Sequence, residues 1–464
     1  MVLRVFNQYI PAHKFAFIFF ESALIMGVVF LGAFLRFWGE SMGFEVYESL
    51  FYKALLIVAC IQLSLYYFDL YDFKYFRRRS ELTIRLMQSL GVSSVLLALF
   101  YFVFPALIVG RGIFFISLVF VGGVIVAWRM AYSYILGSRQ FDQKVMIIGS
   151  GPLAKSIAQE MIAQEDTGFR VIGFIAEDSE RVGEKLVNPS VIGHHSQILD
   201  IVRREGVDRI IVALEERRGK LPVAQLLECK MMGIFVEDGI EFYEHLTGRL
   251  KVESLRPSSL IFSDGFKKPK LTIWIKGVAE MSLSLTGLTL LLPFLGIIFL
   301  LIKIDSRGPI FYRQERVGKR GRIFQLLKFR SMVENAEGNG PVWADRVDPR
   351  ITRVGRWLRK WRLDEIPQMI NVLKGEMSFV GPRPERPFFV EKLRGEIPFY
   401  NQRLSVKPGI TGWAQIRYPY GASEADALEK LKYDLYYIKN LSLLFDLIVI
   451  FETIKVVLFG RGAR

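Results

Sequence analysis

Two carboxylates stand side by side in Arg362-Leu363-Asp364-Glu365-Ile366-Pro367-Gln368. Neighbouring side chains on one backbone point in different directions, so two adjacent acids imply two tasks. One can attack phosphorus and form an acyl phosphate. The other can hold Mg²⁺, a hard cation that prefers oxygen ligands and keeps substrate phosphates in its shell. Lys328, Arg330 and Arg383 offer positive charge to a phosphate, and Arg383 lies between Pro382 and Pro384, which restrict its backbone. Breaking a pyrophosphate spreads charge over the leaving group and the transferred phosphoryl oxygens, so positioning and electrostatic stabilisation are what these cations would supply. For a bare Asp-Glu the plain alternative is a solvated turn, and for Arg383 a purely structural arginine.

The neighbouring segments bear on that choice. They are Lys328-Phe329-Arg330-Ser331-Met332, Lys374-Gly375-Glu376-Met377-Ser378-Phe379-Val380-Gly381-Pro382-Arg383-Pro384-Glu385 and Lys407-Pro408-Gly409-Ile410-Thr411-Gly412-Trp413-Ala414-Gln415. Together with Arg362 to Glu365 they resemble, in the same order, the monotopic phosphoglycosyl transferases, also called bacterial sugar transferases or polyprenyl glycosylphosphotransferases. The motifs cover the chain from about Phe266, and the segment before them resembles the large members of that family.

The resemblance implies transfer of a hexose 1-phosphate from a UDP-sugar, UDP-glucose or UDP-galactose, to undecaprenyl phosphate. UMP is released, in the first membrane step of exopolysaccharide, capsule or O-antigen synthesis. It assigns Asp364 as nucleophile, through a covalent aspartyl-phosphosugar intermediate, and Glu365 as the Mg²⁺ ligand. It also places a kinked re-entrant helix at residues 277–302. One stretch departs from the common family pattern: Gln415-Ile416-Arg417-Tyr418-Pro419-Tyr420-Gly421-Ala422-Ser423 stands where many relatives have Gln-Val-Asn-Gly-Arg. Sugar identity is therefore not carried over.

Such chemistry needs a membrane, and the composition supplies one. The chain has 464 residues, enough for about three domains, and 51% of them are hydrophobic with a formal charge of +15. Apolar runs on a basic chain point to lipid headgroups and phosphorylated substrates. Two cysteines, Cys60 and Cys229, are too few for a disulfide framework or a zinc site. Four runs, Phe15 to Trp38, Leu50 to Phe68, Leu90 to Val109 and Ile113 to Leu136, are each long enough to span a bilayer. The first lacks a cleavage site and reads as a retained span.

Arg4 and Lys14 before the first run, Glu40, Glu45 and Glu48 in the first loop, and Lys74, Arg77, Arg78, Arg79 and Arg85 in the second put both ends of this bundle in the cytoplasm. Arg129, near the inner end of the fourth run, is expected to snorkel. A fifth run, Met281 to Ile302, carries Pro293 in its middle and basic residues on both flanks, which suits a segment that enters one leaflet, turns and returns.

Between these lies a region of short apolar bursts, Val145 to Ile148, Val171 to Ile175, Arg209 to Ala213 and Ile234 to Val236, separated by helical stretches. This alternation reads as a parallel α/β sheet. The first burst runs into Gly149-Ser150-Gly151-Pro152-Leu153-Ala154, a turn of the kind that aims N–H groups at a phosphate, and Glu177-Asp178 stands near a ribose-binding position. Gly149 and Gly151 are thus candidates for nucleotide binding; a Rossmann-like spacer or regulator without cofactor remains the equal alternative. His194 and His195 read as surface residues. A membrane nucleotide-sugar dehydratase or epimerase would need a Tyr-x-x-x-Lys pair, and no tyrosine here has a lysine four residues on.

The expected architecture is a membrane protein of α plus α/β class. It has a four-helix transmembrane bundle over 1–140, a Rossmann-like domain over 141–263 and a phosphoglycosyl transferase domain with a re-entrant helix over 264–464. Ile351 to Trp361 mixes arginines with tryptophans as a helix at headgroup level does. Leu441 to Phe459 carries charges that favour an interfacial or protein-packed helix. The expected setting is the bacterial inner membrane, catalytic domain on the cytoplasmic face. The expected partners are a UDP-sugar, undecaprenyl phosphate and a second copy of the chain; nucleic acid is not among them. Because every motif follows Phe266, a chain beginning near Asp264 is expected to retain activity.

Overall fold

The computed structural model describes residues 2–5, 8–38, 44–72, 79–136, 142–164, 167–255, 265–333, 348–418, 421 and 423–459. Glu40, Lys74, Arg77 and Arg78, used above for orientation, lie outside the described residues, as do Pro419, Tyr420 and Ala422. The chain divides into two compact units, Met1–Val5 with Tyr9–Gly239, and Phe6–Gln8 with Ile240–Arg464.

The first unit opens with a pair of short strands, β1 (Val2–Val5) and β2 (Gln8–Pro11), followed by four long helices. These are α1 (Ala12–Arg36), α2 (Phe44–Tyr67), α3 (Arg79–Val103) and α4 (Arg111–Leu136). In α1 the buried residues Phe17, Glu21, Ile25, Val28, Val29, Gly32 and Ala33 recur at three- and four-residue spacing. That stripe packs on α4 and α2, and α3 packs on α2 and α4. The third apolar run continues past Pro105, but the helix does not: α3 ends at Val103, ahead of the residue that precedes the proline.

Arg129 does not snorkel. Its guanidinium is buried between the rings of Phe17 and Tyr71, 2.8 Å from Glu21 and donating to the Leu70 carbonyl. The reason is the α1–α4 contact, which brings Glu21 opposite it. An ion pair withdrawn from solvent in this way costs about 3–5 kcal/mol if one partner is removed.

After the helices comes a five-stranded parallel sheet of β3 (Gln143–Ile148), β4 (Phe169–Ala176), β5 (Val191–His194), β6 (Arg209–Val212) and β7 (Phe235–Asp238), in the order β5-β4-β3-β6-β7. Its central strands are buried on both faces, as near-continuous apolar bursts require. The helices α5 (Pro152–Ala163), α6 (Ile198–Glu205) and α7 (Val223–Met231) follow the first, third and fourth strands, and Met146, Ile148, Ile175 and Ile210 of the sheet form one core with Ile201 of α6 and Leu226 of α7. Cys60 and Cys229 are both buried and free.

The second unit starts with most of α8 (Gly239–Thr247) and then α9 (Lys270–Asp305), a helical element of 36 residues that carries Pro293 inside it. The expected turn at Leu292-Pro293 thus falls on a proline inside one helical element, where a missing N–H lets the helix bend. An antiparallel hairpin follows, β8 (Phe311–Val317) with β9 (Ile323–Phe329). Next come α10 (Arg353–Lys360), a single helical turn Leu363–Glu365, α11 (Gln368–Leu373), β10 (Ser378–Val380) and α12 (Pro387–Glu396). The unit closes with β11 (Gly409–Thr411), parallel to β10, and the helices α13 (Trp413–Arg417), α14 (Glu424–Asn440) and α15 (Leu443–Leu458).

Among the described residues, five helical segments are long and apolar enough to cross a membrane: Ala12–Arg36, Ser49–Tyr67, Ser80–Val103, Arg111–Tyr132 and Lys270–Asp305. With the parallel sheet they make this a membrane α/β protein. The last helix, α15, is not one of them among the described residues; it buries Phe445, Asp446 and Val449 on one face.

Candidate active site

Strand β9, the turn Leu363–Glu365 and the segment after β10 converge on one cluster. α10 is fixed first: Thr352 caps it by accepting from the Gly355 N–H, and Asp305 at the end of α9 accepts from the Val354 N–H at 2.9 Å. The chain then turns sharply at Arg362, which takes a left-handed conformation with φ 55°, uncommon for a residue with a side chain. The following turn carries both acids inward, and Asp364 and Glu365 are each only 7% exposed.

Lys328 on β9 reaches both. Its Nζ is 3.0 Å from Glu365 Oε1 and 4.0 Å from Asp364 Oδ2. Arg383 donates from one nitrogen to Glu365 Oε1 at 3.1 Å and from another to Gln415 Oε1 at 3.0 Å. Arg362 stands 3.5 Å from Glu365 Oε2. Burial alone would push the Glu365 carboxyl up, but Lys328, Arg383 and Arg362 hold it well below the usual carboxylate range. Asp364 goes the other way. Burial raises it, Lys328 only partly offsets that rise and Glu365 adds to it. Two adjacent acids therefore sit in opposite electrostatic states, as two separate tasks require.

Four of the residues singled out in the sequence thus come together: Asp364, Glu365, Lys328 and Arg383. Arg330 does not join them. It is buried, and its guanidinium donates to the Ile302 and Ser306 carbonyls and to Ser306 Oγ at the C-terminus of α9. Such a cation satisfies carbonyls that a helix end leaves without partners. Gln415 and Arg362 belong to the site although only their motifs, not their roles, were read from the sequence.

A cavity of about 150 Å³ opens beside Glu365. Arg362, Glu365, Thr411 and Gln415 share it with an apolar lining that includes Ile366, Met369, Ile410 and Val457. Among the described residues there is no group of three or more His, Cys, Asp or Glu side chains placed to hold a metal. Glu365 Oε1 is taken by Lys328 and Arg383, whereas Oε2 has Arg362 only at 3.5 Å. A hard cation here would find Glu365 Oε2 and would need phosphate and water oxygens for the rest of its shell.

In the first unit, Gly149 has φ +115°, and a Cβ there would lie 2.6 Å from the Ala213 carbonyl oxygen. Its N–H donates to the Ile175 carbonyl at 2.8 Å and so is already committed to the sheet. Gly151 starts α5, and the Glu215 carboxylate lies where a Cβ on Gly151 would meet it at 3.2 Å. Glu177 pairs with Lys220 at 2.8 Å, and the rings of His194 and His195 stack on each other.

Comparison with known families gives two matches. The family described as bacterial sugar transferase matches residues 271–460, and the one described as CoA-binding domain matches residues 66–226. Three curated relatives illustrate the similarity. The chain is 42% identical over 240 residues to a UDP-N-acetylgalactosamine-undecaprenyl-phosphate N-acetylgalactosaminephosphotransferase of Aeromonas hydrophila, covering 52% of this chain and 56% of that protein. It is 33% identical over 362 residues to an undecaprenyl-phosphate glucose phosphotransferase of Komagataeibacter xylinus, covering 75% and 65%. It is 32% identical over 342 residues to a UDP-galactose-lipid carrier transferase of Erwinia amylovora, covering 70% of each. The chain thus spans less than two thirds of the length of the first two relatives, and the three names carry three different sugars.

Proposed function

The chain belongs to the bacterial sugar transferase family, the polyprenyl phosphoglycosyl transferases, and from that premise we propose that it transfers a sugar 1-phosphate from a UDP-sugar to undecaprenyl phosphate with release of UMP. The observation that carries this reading is the pair Asp364 and Glu365, buried in one turn, served unequally by one lysine and facing Arg383.

In the reaction, a carboxylate oxygen of Asp364 attacks the phosphorus that bears the sugar. The bond from that phosphorus to the UMP oxygen breaks, and UMP leaves with the electron pair. An oxygen of undecaprenyl phosphate then attacks the same phosphorus, the acyl–phosphorus bond breaks, and Asp364 returns as a carboxylate. With all groups ionised no proton has to move. Mg²⁺, when bound through Glu365, supplies charge neutralisation on the diphosphate oxygens. Lys328 steadies the negative charge on the two acids, and Arg383, two-fifths exposed, would meet substrate phosphate by exchanging its bond to Gln415 for one to a phosphate oxygen.

Trapping labelled phosphosugar tests this directly: wild-type protein should retain label from a β-³²P UDP-sugar when the acceptor is withheld, and Asp364→Asn should retain none. Equal labelling of both would move the nucleophile elsewhere. The donor is a UDP-sugar, and a transfer assay with UDP-glucose, UDP-galactose and UDP-N-acetylgalactosamine identifies it.

The setting is the inner membrane of a bacterium, with four helices crossing as a bundle and α9 re-entrant from the cytoplasmic face. Contacts on both arms of α9 support re-entrance. Before Pro293, Lys276 pairs with Asp446 at 2.6 Å and donates to Val380; after it, Arg330 holds Ile302, and Asp305 holds Val354. A helix crossing the ~30 Å hydrocarbon core would send its two ends to opposite faces, yet all these partners belong to one unit. For the middle domain, the Glu215 carboxylate against Gly151 favours a spacer or regulatory role over phosphate binding, since a phosphate there would meet a like charge.

A further inference from the structure

Pro382 and Pro384 carry no N–H, so the backbone that presents Arg383 has few donors and its carbonyls matter most for fixing it. Four consecutive carbonyls are held, each by a different donor. The Gly409 N–H takes Pro382, Arg403 takes Arg383, Arg316 takes Pro384 and the Val317 N–H takes Glu385, all at 2.9 Å. The bond to Arg383 itself comes from a side chain twenty residues on.

Arg403 is 7% exposed and lines no part of the cavity beside Glu365. One of its terminal nitrogens donates to the Tyr400 hydroxyl at 2.7 Å; the other, which holds the Arg383 carbonyl, is also 3.0 Å from Asp434 Oδ2. Asp434, on α14, is 2% exposed. Burial pushes its carboxyl up to about 6, and the neighbouring guanidinium opposes that rise. A buried ion pair is weak support for stability alone, because an apolar pair of similar volume often serves as well. What an apolar pair cannot do is hold a carbonyl in a fixed direction.

We propose that Arg403, braced by Asp434, is a positioning residue that sets the Arg383 guanidinium for the substrate diphosphate without touching substrate. This rests on Arg383 being the anion-binding arginine of the reaction proposed above.

A double-mutant cycle on the full chain separates positioning from general support. kcat/KM for UMP release is measured for wild type, Arg403→Gln, Arg383→Ala and the double variant. Losing a charge-assisted bond to the backbone of Arg383 should lower kcat/KM about tenfold when Arg383 is present. In the Arg383→Ala background the same change should cost less than about twofold, because nothing is left to position. Asp434→Asn should follow the same pattern more weakly. Equal losses in both backgrounds would make Arg403 merely structural and overturn the proposal. If Arg403→Gln is not recovered as a monodisperse protein, Arg403→Lys, which keeps a cation beside Asp434, goes through the same cycle with the same two outcomes. Arg383→Ala with unchanged kcat/KM would instead refute the underlying assignment of Arg383.

Discussion

Lys328 and Glu365 form one close ion pair, Nζ to Oε1 at 3.0 Å, while the same ammonium stands 4.0 Å from Asp364 Oδ2. The nearer carboxylate is held ionised far into acid, and the farther one is left raised by burial. Asp364 attacks only as a carboxylate, so activity should fall as pH drops through its raised pKa. The acid limb of kcat/KM should therefore lie above the ~4 of an ordinary aspartate. Lys328 lowers the Asp364 pKa, so Lys328→Met should shift that limb to higher pH as well as reduce the plateau. A limb near the ordinary value, or one that Lys328→Met leaves in place, would remove Asp364 as the titrating nucleophile.

Arg330 should behave differently from Arg383 although both lie in motif segments. One of its terminal nitrogens is committed to Ile302 and Ser306 at the end of α9. Arg330→Gln should lower stability by about 1–3 kcal/mol, visible as a reduced Tm in detergent, with KM for the UDP-sugar nearly unchanged. A KM rise of about tenfold or more at constant Tm would return Arg330 to the substrate.

These two arginines mark what a sequence can carry. Residue types that chemistry restricts are legible: adjacent acids, a lysine and an arginine between prolines, taken with the motif order that resembles the phosphoglycosyl transferases, singled out Asp364, Glu365, Lys328 and Arg383, and the fold brings these four side chains together. Directions are legible only while periodicity lasts. Lys328 and Arg330 would share a face if β9 continued, but the strand stops at Phe329 and Arg330 turns to the helix end. Partners distant along the chain, such as Glu21 for Arg129 or Arg403 for the Arg383 carbonyl, leave no local pattern. The parallel sheet was readable from its buried bursts. Strand β5 was not, because Gly193 and His194 cut its apolar stretch to Val191 and Ile192.

Re-entrance of α9 makes a prediction about sidedness. Lys268 precedes the helix and Lys319 follows it. Single cysteines at these positions, in a background lacking the buried Cys60 and Cys229, should both resist an impermeant thiol reagent in intact cells and both react after permeabilisation. Labelling of position 319 alone in intact cells would mean that α9 crosses the bilayer.

The boundary of the catalytic unit is the last point at which the structure changes an expectation. A start near Asp264 keeps every motif, yet the second unit begins at Ile240 apart from Phe6–Gln8. Leu250 and Val252 are buried in one cluster with Trp413, Leu431 and Tyr436. The Trp413 indole N–H donates to the Gly248 carbonyl at 2.8 Å, Lys439 pairs with Glu244 at 2.7 Å, and Arg249 pairs with Glu429 at 3.0 Å. Beginning at Asp264 removes two buried aliphatic side chains worth about 1.5–3 kcal/mol each. It also strips Trp413 of its acceptor and exposes the apolar surface that 250–252 covered. Trp413 opens α13, which carries Gln415 and thereby the contact to Arg383. A chain beginning at Ile240 should therefore be monodisperse in detergent and release UMP at a measurable rate, whereas one beginning at Asp264 should melt lower and lose activity. Side-by-side Tm and specific activity decide it: equal stability and activity of the two would show that 240–255 is dispensable, and an inactive but well-folded Ile240 chain would mean that the first unit contributes to the reaction.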